Sequence, residues 1–268
     1  MSGPSPPRIL AIAGSDSSGG AGIQADIKTI TMLGGYAMSA ITCVTAQNTL
    51  GVTAVEALSP DLVGAQIGAC LSDIGVDAIK IGMLGSPEIA GIVAYRLEGL
   101  PIPIVFDPVM VATSGAVLAD AATIAAFERL MTRAQIVTPN LPELAALAGR
   151  ELRTPDEATE AAAILSERYG CAVLAKGGHA EGDRIRDVLI DPQGRAASFE
   201  DPRIDTRHTH GTGCTLSSAI AALLGHGQTL EHSVRIARQF VRKALEAAPG
   251  FGQGHGPMGH QAVRPGEA

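Results

Sequence analysis

The segment 210–215, which reads His-Gly-Thr-Gly-Cys-Thr, carries the chemistry that is easiest to specify from sequence. Its glycines permit a tight turn, and an apolar helical pattern follows at Leu216–Leu224. Successive backbone N–H groups at the start of a helix bind anions. Cys214 would lie at the positive end of this helix, where the pKa of a thiol falls from about 8.5 towards neutrality. The segment therefore predicts an anion hole for a transferring phosphoryl group, with Cys214 as a candidate general base. The alternative is an ordinary turn that precedes a small core cysteine.

Three charged residues could serve the same chemistry from other parts of the chain. Asp107 follows an apolar strand pattern, and with Glu143 it is a candidate for the magnesium side of a phosphate site, because Mg²⁺ prefers hard oxygen ligands. Lys176 ends another apolar strand, where its ammonium could meet a phosphate. Two of them have a structural alternative: Glu143 as a favourable charge at a helix N-terminus, and Lys176 as an ordinary lysine at the edge of the sheet.

A glycine-rich loop, Gly14–Gly22, follows a strand and opens a helix that contains Asp26. Residues 20–25 match the dinucleotide fingerprint GxGxxA, but the loop is too long for the tight phosphate turn. No suitably placed acidic residue follows about 20 positions later. The sequence GxxxxGK[ST] does not occur, so a P-loop is excluded by pattern. We interpret the loop as backbone that approaches a substrate.

Composition limits the possible partners. The chain has 268 residues, of which 46% are hydrophobic, 18% charged and 3% aromatic, with no Trp. A net charge of −7 gives no basic footprint for nucleic acid or for a membrane surface. Apolar runs fall short of the roughly 18 residues that a membrane helix needs. The four cysteines form no CxxC pair, which argues against a disulfide framework or a cysteine zinc site. We expect a cytosolic protein.

The histidines give no metal signature. His179, His208 and His210 lack the spacing of metal ligands, and we expect the remaining histidines at the surface.

Strand and helix patterns alternate along the chain, as in βαβ units. Strands are predicted at Ile9–Ala13, Ala40–Ala46, Ala78–Ile81, Ile102–Phe106, Gln135–Val137 and Cys171–Ala175. Helices are predicted at Ile23–Leu33, Asp61–Ile74, Pro87–Leu97, Asp120–Met131, Pro155–Tyr169, Cys214–Leu224 and Leu230–Ala247. Arg184–Asp191 and Ala196–Phe199 predict an antiparallel hairpin at one edge.

These patterns predict a three-layer α/β/α fold with a largely parallel central sheet. We expect one domain at residues 8–249, a flexible N-terminal tail at 1–7 and a Gly/Pro-rich C-terminal tail at 250–268. Because ligands of open α/β sheets bind beyond the carboxyl ends of the strands, polar segments after six predicted strands favour an active site there.

Seven ordered motifs support a resemblance that runs from about Ile9 to Ala248. They are AGSDSSGGAGIQAD (13–26), TAQNT (45–49), KIGML (80–84), DPVM (107–110), TPNLPE (138–143), KGGH (176–179) and HGTGCT (210–215). The chain resembles the bacterial hydroxymethylpyrimidine/phosphomethylpyrimidine kinases, a branch of the ribokinase-like superfamily that also contains pyridoxal kinases.

The resemblance implies transfer of the ATP γ-phosphate to 4-amino-5-hydroxymethyl-2-methylpyrimidine and then to its monophosphate, in thiamine biosynthesis. It implies that Gln47 hydrogen-bonds the aminopyrimidine edge, since an amide donates and accepts together. Gly14, Asp26, Met83 and Val109 would line the ring pocket, and Gly211, Thr212, Gly213 and Cys214 would supply the anion hole and base. Asn140 and Glu143 would support Mg²⁺, Asp107 would organise metal-bound water, and Lys176, Asn140 and Thr212 would contact the nucleotide. The resemblance also implies a homodimer.

Three other functions remain open from the sequence. A pyridoxal kinase of vitamin B6 salvage would share the fold and site. The GxGxxA match offers an NAD(P)-binding oxidoreductase, and a catalytically silent sensor of the pyrimidine would need only the ring pocket.

Overall fold

The structure is a computed structural model that describes residues 5–112, 115, 118–178 and 182–263. His179, the last residue of the KGGH motif, lies outside the described residues. So do residues 1–4 and 264–268 of the two predicted tails.

A nine-stranded sheet forms the centre of the molecule, in the order β3-β2-β1-β4-β5-β6-β7-β8-β9. The strands are β1 (Arg8–Asp16), β2 (Tyr36–Asn48), β3 (Gly51–Ala57), β4 (Ala78–Ile81), β5 (Ile104–Phe106), β6 (Ile136–Val137), β7 (Ala172–Ala175), β8 (Arg184–Ile190) and β9 (Ala196–Pro202). β2, β1, β4, β5, β6 and β7 pair in parallel, whereas β3 at one edge and β8–β9 at the other are antiparallel. The predicted parallel core and its edge hairpin are confirmed.

Eight α-helices cover the two faces of the sheet within the described residues. They are α1 (Gly22–Met32), α2 (Pro60–Ala69), α3 (Pro87–Arg96), α4 (Ala121–Met131), α5 (Leu141–Ala148), α6 (Pro155–Tyr169), α7 (Thr212–Gly225) and α8 (Leu230–Glu246). A π-helical turn at Cys70–Ile74 continues α2.

The alternation of side chains along β1 shows how the layers form. Leu10 and Ile12 point into a core shared with α2, α3, α4 and α6, whereas Ile9 and Ala11 point into a second core shared with α1, α7 and α8. Both faces of the strand are apolar because helices cover both. The structure confirms the three-layer α/β/α architecture. No helix in the described part of the chain is both long enough and apolar enough to cross a membrane.

Two elements escape the sequence analysis. β3 is an exposed edge strand without an apolar face, and α5 is only eight residues long. The exposed strand has no buried apolar face, and the eight-residue helix is too short to repeat its apolar pattern over several turns.

The chain ends pack more closely than the predicted tails suggest. Pro7 is buried, and its carbonyl accepts a hydrogen bond from the N–H of Tyr36. Residues 251–263 are mostly irregular, with a 3-10 turn at His260–Ala262. There, the N–H of His255 donates to the carbonyl of Thr49, and the N–H of Gly259 donates to the carbonyl of Ala244. We call residues 251–263 the C-terminal segment; its backbone is hydrogen-bonded to the rest of the chain.

Candidate active site

A cavity of about 920 Å³ opens at the carboxyl ends of the parallel strands. Twelve of the thirteen predicted site residues line it: Gly14, Gln47, Met83, Asp107, Val109, Asn140, Glu143, Lys176, Gly211, Thr212, Gly213 and Cys214. They meet there because the carboxyl ends of parallel strands share one edge of the sheet.

The N-terminus of α7 forms one wall of the cavity. Gly211 is its N-cap residue, with a φ of 86°, and a Cβ at this position would collide with the carbonyl oxygen of Gly20. Only glycine satisfies both conditions. No side chain caps α7, and the N–H of Thr212 donates to the carbonyl of Thr209 at 3.3 Å. The next N–H groups, those of Gly213 and Cys214, are therefore the ones available to an anion in the cavity.

Cys214 lies in the first turn of α7, but its environment differs from the prediction. Burial raises the pKa of the thiol to about 11, although Lys80 and the N–H of Gly22 act in the opposite direction. The expectation of a pKa near neutrality is wrong, because desolvation outweighs the helix dipole here. Without a ligand, Cys214 is a neutral thiol at pH 7.

A buried charge cluster lies beside the anion hole. Lys176 Nζ donates to Asp107 Oδ1 at 3.0 Å, and Thr138 Oγ1 donates to the same oxygen at 3.0 Å. A Cβ built on Gly213 would be 3.4 Å from both Asp107 Oδ2 and Lys176 Nζ. Burial by itself would lower the pKa of Lys176, but Asp107 and Glu143 raise it, so the ammonium stays charged. A fixed positive charge therefore faces the space in front of α7.

Glu143 serves the first turn of α5 and the cavity together. Its Oε2 accepts from the N–H of Asn140 at 2.8 Å, and Asn140 Oδ1 accepts from the N–H of Glu143 at 2.9 Å. This reciprocal pair is a capping box. Glu143 therefore lies at a helix N-terminus, which was the structural alternative to a role at the metal. Burial raises the pKa of Glu143 to about 7, which Lys176 opposes and Asp107 reinforces. The carboxyl group is thus half-protonated near neutral pH.

The side chains that line the cavity can be compared with the usual ligands of magnesium. No group of three or more His, Cys, Asp or Glu side chains in the described residues could enclose a metal ion. Asp107 and Glu143 nevertheless line one cavity and interact electrostatically. Mg²⁺ commonly binds through one or two carboxylates, several waters and substrate phosphates. The residues fit that mode of binding and do not form an all-protein cage.

Gly14, Met83 and Gln47 also line the cavity. A Cβ on Gly14 would lie 2.6 Å from Cys43 Sγ and 3.4 Å from Met83 Sδ, so any larger residue would displace this wall. One terminal amide atom of Gln47 is 3.4 Å from His210 Nε2. This part of the cavity can receive a flat ring with a polar edge.

Asp26 does not line the cavity. Both of its carboxylate oxygens lie 2.9 Å from Lys80 Nζ, and Ser218 Oγ donates to Oδ1 at 2.7 Å. Asp26 and Lys80 are both fully buried. Burial by itself would lower the pKa of Lys80, but the Asp26 carboxylate raises it. The prediction that Asp26 lines the ring pocket is corrected. Asp26 lies one turn into α1, where its carboxylate is buried between α1 and α7 and bonds Ser218 of α7.

Asp16 and His210 are site residues to which the sequence analysis gave no role. His210 Nε2 lies 2.8 Å from Asp16 Oδ2, and both residues are buried and line the cavity. Both belong to motifs noted from the sequence. Their pairing across 194 positions carried no local signal that could have revealed it.

Comparisons with known proteins agree with this geometry. The sequence profile of the family described as phosphomethylpyrimidine kinase matches residues 16–259. A hydroxymethylpyrimidine/phosphomethylpyrimidine kinase of Rhizobium meliloti is 48% identical over 257 residues, with 94% of this chain and 96% of the relative covered. A thiamine biosynthesis multifunctional protein of Corynebacterium efficiens is 42% identical over 261 residues; this chain covers only 35% of its length.

Solved structures show the same fold. A pyridoxal kinase of Bacillus subtilis in complex with ADP superposes with a TM-score of 0.87 at 36% identity, covering 96% of this chain and 98% of that one. A phosphomethylpyrimidine kinase of Clostridium difficile superposes with a TM-score of 0.78 at 37% identity, covering 89% and 99%. The fold is therefore ribokinase-like, and the family profile and the 48% identical relative agree on one branch of it. The chain belongs to the phosphomethylpyrimidine kinase family.

Proposed function

We propose that this protein transfers the γ-phosphoryl group of ATP to the hydroxymethyl group of 4-amino-5-hydroxymethyl-2-methylpyrimidine, and then to the resulting monophosphate. One observation carries the proposal: a single cavity holds the uncapped N-terminus of α7, the Lys176–Asp107 pair and the amide of Gln47. The first two suit a phosphoryl group in transfer, and Gln47 suits an aminopyrimidine edge. The product diphosphate would serve thiamine biosynthesis.

In the proposed reaction the substrate oxygen attacks the γ-phosphorus, the bond from this phosphorus to the β,γ-bridging oxygen breaks, and ADP leaves. Charge on the transferring group is met by the N–H groups of Gly213 and Cys214 and by Lys176, and Thr212 would contact the nucleotide through its side chain. Phosphoryl transfer depends mainly on such positioning and electrostatic stabilisation. Asn140 would contact the nucleotide, and Val109 would line the ring pocket.

Magnesium and ATP are part of the proposal. Asp107 and Glu143 would hold Mg²⁺ through water and the nucleotide phosphates, where the ion would neutralise phosphate charge. Half-protonated Glu143 would lose its proton on meeting the cation.

The first test is coupled phosphoryl transfer with Mg-ATP, with hydroxymethylpyrimidine, its monophosphate and pyridoxal offered separately. Turnover on the first two substrates supports the proposal for both steps. A second candidate, pyridoxal phosphorylation, is favoured by the superposition on pyridoxal kinases. Turnover on pyridoxal alone would replace the proposed activity with that one.

The general base is tested by Cys214→Ala. If the thiolate form of Cys214 takes the proton of the attacking hydroxyl and becomes the thiol, kcat of the variant falls at least about 100-fold while the KM for the pyrimidine changes little. Because the pKa of Cys214 is about 11, wild-type kcat should rise from pH 7 to pH 10, and the variant should lack this rise. Wild-type turnover in the variant would remove Cys214 from the role.

We further propose a homodimer through the exposed edge strand β3. Val55 on this strand is 45% exposed, and β3 has no strand on its outer side within the described residues. Unpaired edge strands associate readily with a second copy. Light scattering should give twice the monomer mass for the wild type and the monomer mass for Val55→Lys. A wild-type protein that is monomeric at all concentrations would contradict the proposal.

We propose a cytoplasmic location as well. It is supported by the unpaired thiols of all four cysteines, which suit a reducing compartment.

A further inference from the structure

Asp16 is a buried acceptor for several donors. Its carboxylate accepts from the N–H groups of Ser18 at 2.8 Å, Gly20 at 3.1 Å and Ala21 at 2.8 Å, and from Ser18 Oγ. Burial would raise the pKa of Asp16, but the hydrogen bonds, with that from His210 first, bring it below its usual value. Asp16 is therefore a carboxylate, which can only accept hydrogen bonds.

This carboxylate fixes the tautomer of His210. Nε2 of His210 is 2.8 Å from Asp16 Oδ2, so Nε2 must carry the proton that lies between them. An Nε2–H group cannot accept a hydrogen bond from the neighbouring amide of Gln47.

The orientation of the Gln47 amide follows from its two neighbours. With Oε1 placed 3.1 Å from Thr45 Oγ1 and Nε2 placed 3.4 Å from His210 Nε2, two N–H donors would face each other. The one hydroxyl proton of Thr45 would also have to serve both Gln47 and the carbonyl of Ser15, which is 3.0 Å away. Rotating the amide by half a turn removes both conflicts, and the hydrogen-bond network decides such assignments.

We propose that His210 and Thr45 hold the Gln47 amide with Oε1 towards His210 and Nε2 towards Thr45, and thereby determine which way round the pyrimidine ring binds. His210 Nε2–H then donates to both Asp16 and Gln47 Oε1. Gln47 Nε2–H donates to Thr45 Oγ1, which donates to the carbonyl of Ser15. The inference rests on the proposed function.

One acceptor site on Oε1 and one N–H of Gln47 remain for a ligand. They are complementary to the ring edge formed by the 4-amino group and N3 of an aminopyrimidine. The 4-amino group pairs with Oε1, on the His210 side, and N3 pairs with the N–H on the Thr45 side. The 5-hydroxymethyl group is bonded to the ring atom next to the one that bears the amine, on the side away from N3. It therefore points towards His210 and the adjoining anion hole, residues 211–214.

The opposite amide orientation would turn the ring over and direct the hydroxymethyl group away from the anion hole. Pyridoxal has no amine beside a ring nitrogen and cannot use this pairing. His210 and Thr45 are thus positioning residues that act through Gln47 on the choice of substrate and on the geometry of attack.

The test is a double-mutant cycle on Thr45→Val and Gln47→Met. It compares hydroxymethylpyrimidine with its analogue that lacks the 4-amino group. Thr45→Val should lower kcat/KM for hydroxymethylpyrimidine about tenfold, the size expected for one neutral hydrogen bond, and should change that for the analogue less than twofold. In the Gln47→Met background, Thr45→Val should have no further effect.

Two further variants separate positioning from structural damage. Thr53→Val on β3 removes a hydroxyl that donates to the carbonyl of Ala46, outside the cavity lining, and should leave kcat/KM unchanged. His210→Leu should lose activity on hydroxymethylpyrimidine, and His210→Gln, which can return an N–H donor, should restore part of it.

The inference is overturned if the effects of Thr45→Val and Gln47→Met are additive, or if Thr45→Val lowers kcat/KM equally for both substrates. Wild-type turnover on hydroxymethylpyrimidine would still uphold the proposed function. Wild-type protein with no such turnover would overturn both.

Discussion

Glu143 shows how one carboxyl group can stabilise a helix and also line the cavity. It caps α5, and burial raises its pKa to about 7. Between the ordinary value of 4.5 and about 7, the folded state holds a proton that the unfolded state has lost. The stability that this bound proton contributes is therefore fully present below pH 4.5 and is lost as the pH rises through 7.

We predict that Glu143→Gln raises the free energy of unfolding at pH 8 more than at pH 5, since Gln keeps the cap without a buried charge. The magnesium concentration for half-maximal turnover should rise, because a carboxylate near the phosphates is gone. Urea titrations at both pH values and a magnesium titration of kcat measure these effects. Glu157→Gln is the matched control, because Glu157 forms the same capping box with Thr154 on α6 but is away from the cavity. If both variants respond alike to magnesium, Glu143 has no role at the metal.

Most of the residues predicted from the sequence line one cavity, but their electrostatic states could not be predicted. Gln47, Lys176 and the anion-hole residues could be placed because motif position and the ends of parallel strands are readable from sequence. The pKa of Cys214 and the ion pair of Asp26 with Lys80 could not, because both depend on burial between elements distant in the chain.

At the scale of elements, the site depends on the close approach of two loops. The loop before α1 and the N-cap of α7 meet where Gly211 faces the carbonyl of Gly20. The Asp16–His210 pair joins the same two segments. Their mutual position sets the geometry of the anion hole.

Gly211→Ala should therefore affect activity and stability together. A positive φ costs a non-glycine residue about 1–2 kcal/mol, and the collision with Gly20 adds to this. We expect kcat to fall at least about 100-fold. Gly227→Ala is the control: its φ is 78°, but no atom lies within 4 Å of the added Cβ, so it should lose stability without losing turnover. Full turnover in Gly211→Ala would show that the loops need not meet so closely.

The predicted strands and helices were largely correct because each has an apolar periodicity of its own. Ala78–Ile81 and Pro155–Tyr169 were predicted to the residue. β3 was missed because an exposed strand has no buried apolar face, and α5 because eight residues are too few to repeat an apolar pattern.

At the scale of the whole molecule, the C-terminal segment completes the active-site wall. The N–H of His210 donates to the carbonyl of Gly256, and His260 Nε2 lies 2.8 Å from Thr215 Oγ1. His260 is buried, which corrects the expectation that it lies at the surface. A contact between two side chains 45 positions apart, with all of α8 between them, carries no local pattern that could be read from the sequence.

Burial, with a smaller effect from Lys28, lowers the pKa of His260 to about 4. Between pH 6.5 and 4 the unfolded state binds a proton that the folded state does not, so stability falls as the pH falls through this window. The loss should reach about 2 kcal/mol at pH 5. We predict that the free energy of unfolding, measured with urea, falls by about 2 kcal/mol less between pH 7 and pH 5 in His260→Gln than in wild type. The exposed His232→Gln should keep the full difference; equal behaviour of the two variants would contradict the assignment to His260.

The position of the C-terminal segment also matters for synthesis on the ribosome. The chain emerges from its N-terminus, so β1, α1 and α7 leave the exit tunnel before residues 254–260 do. Until those residues arrive, His210 and Thr215 lack the partners that hold the start of α7. A stalled nascent chain that ends near residue 249 would thus contain every strand and α-helix described above, and still lack an organised phosphoryl-transfer centre.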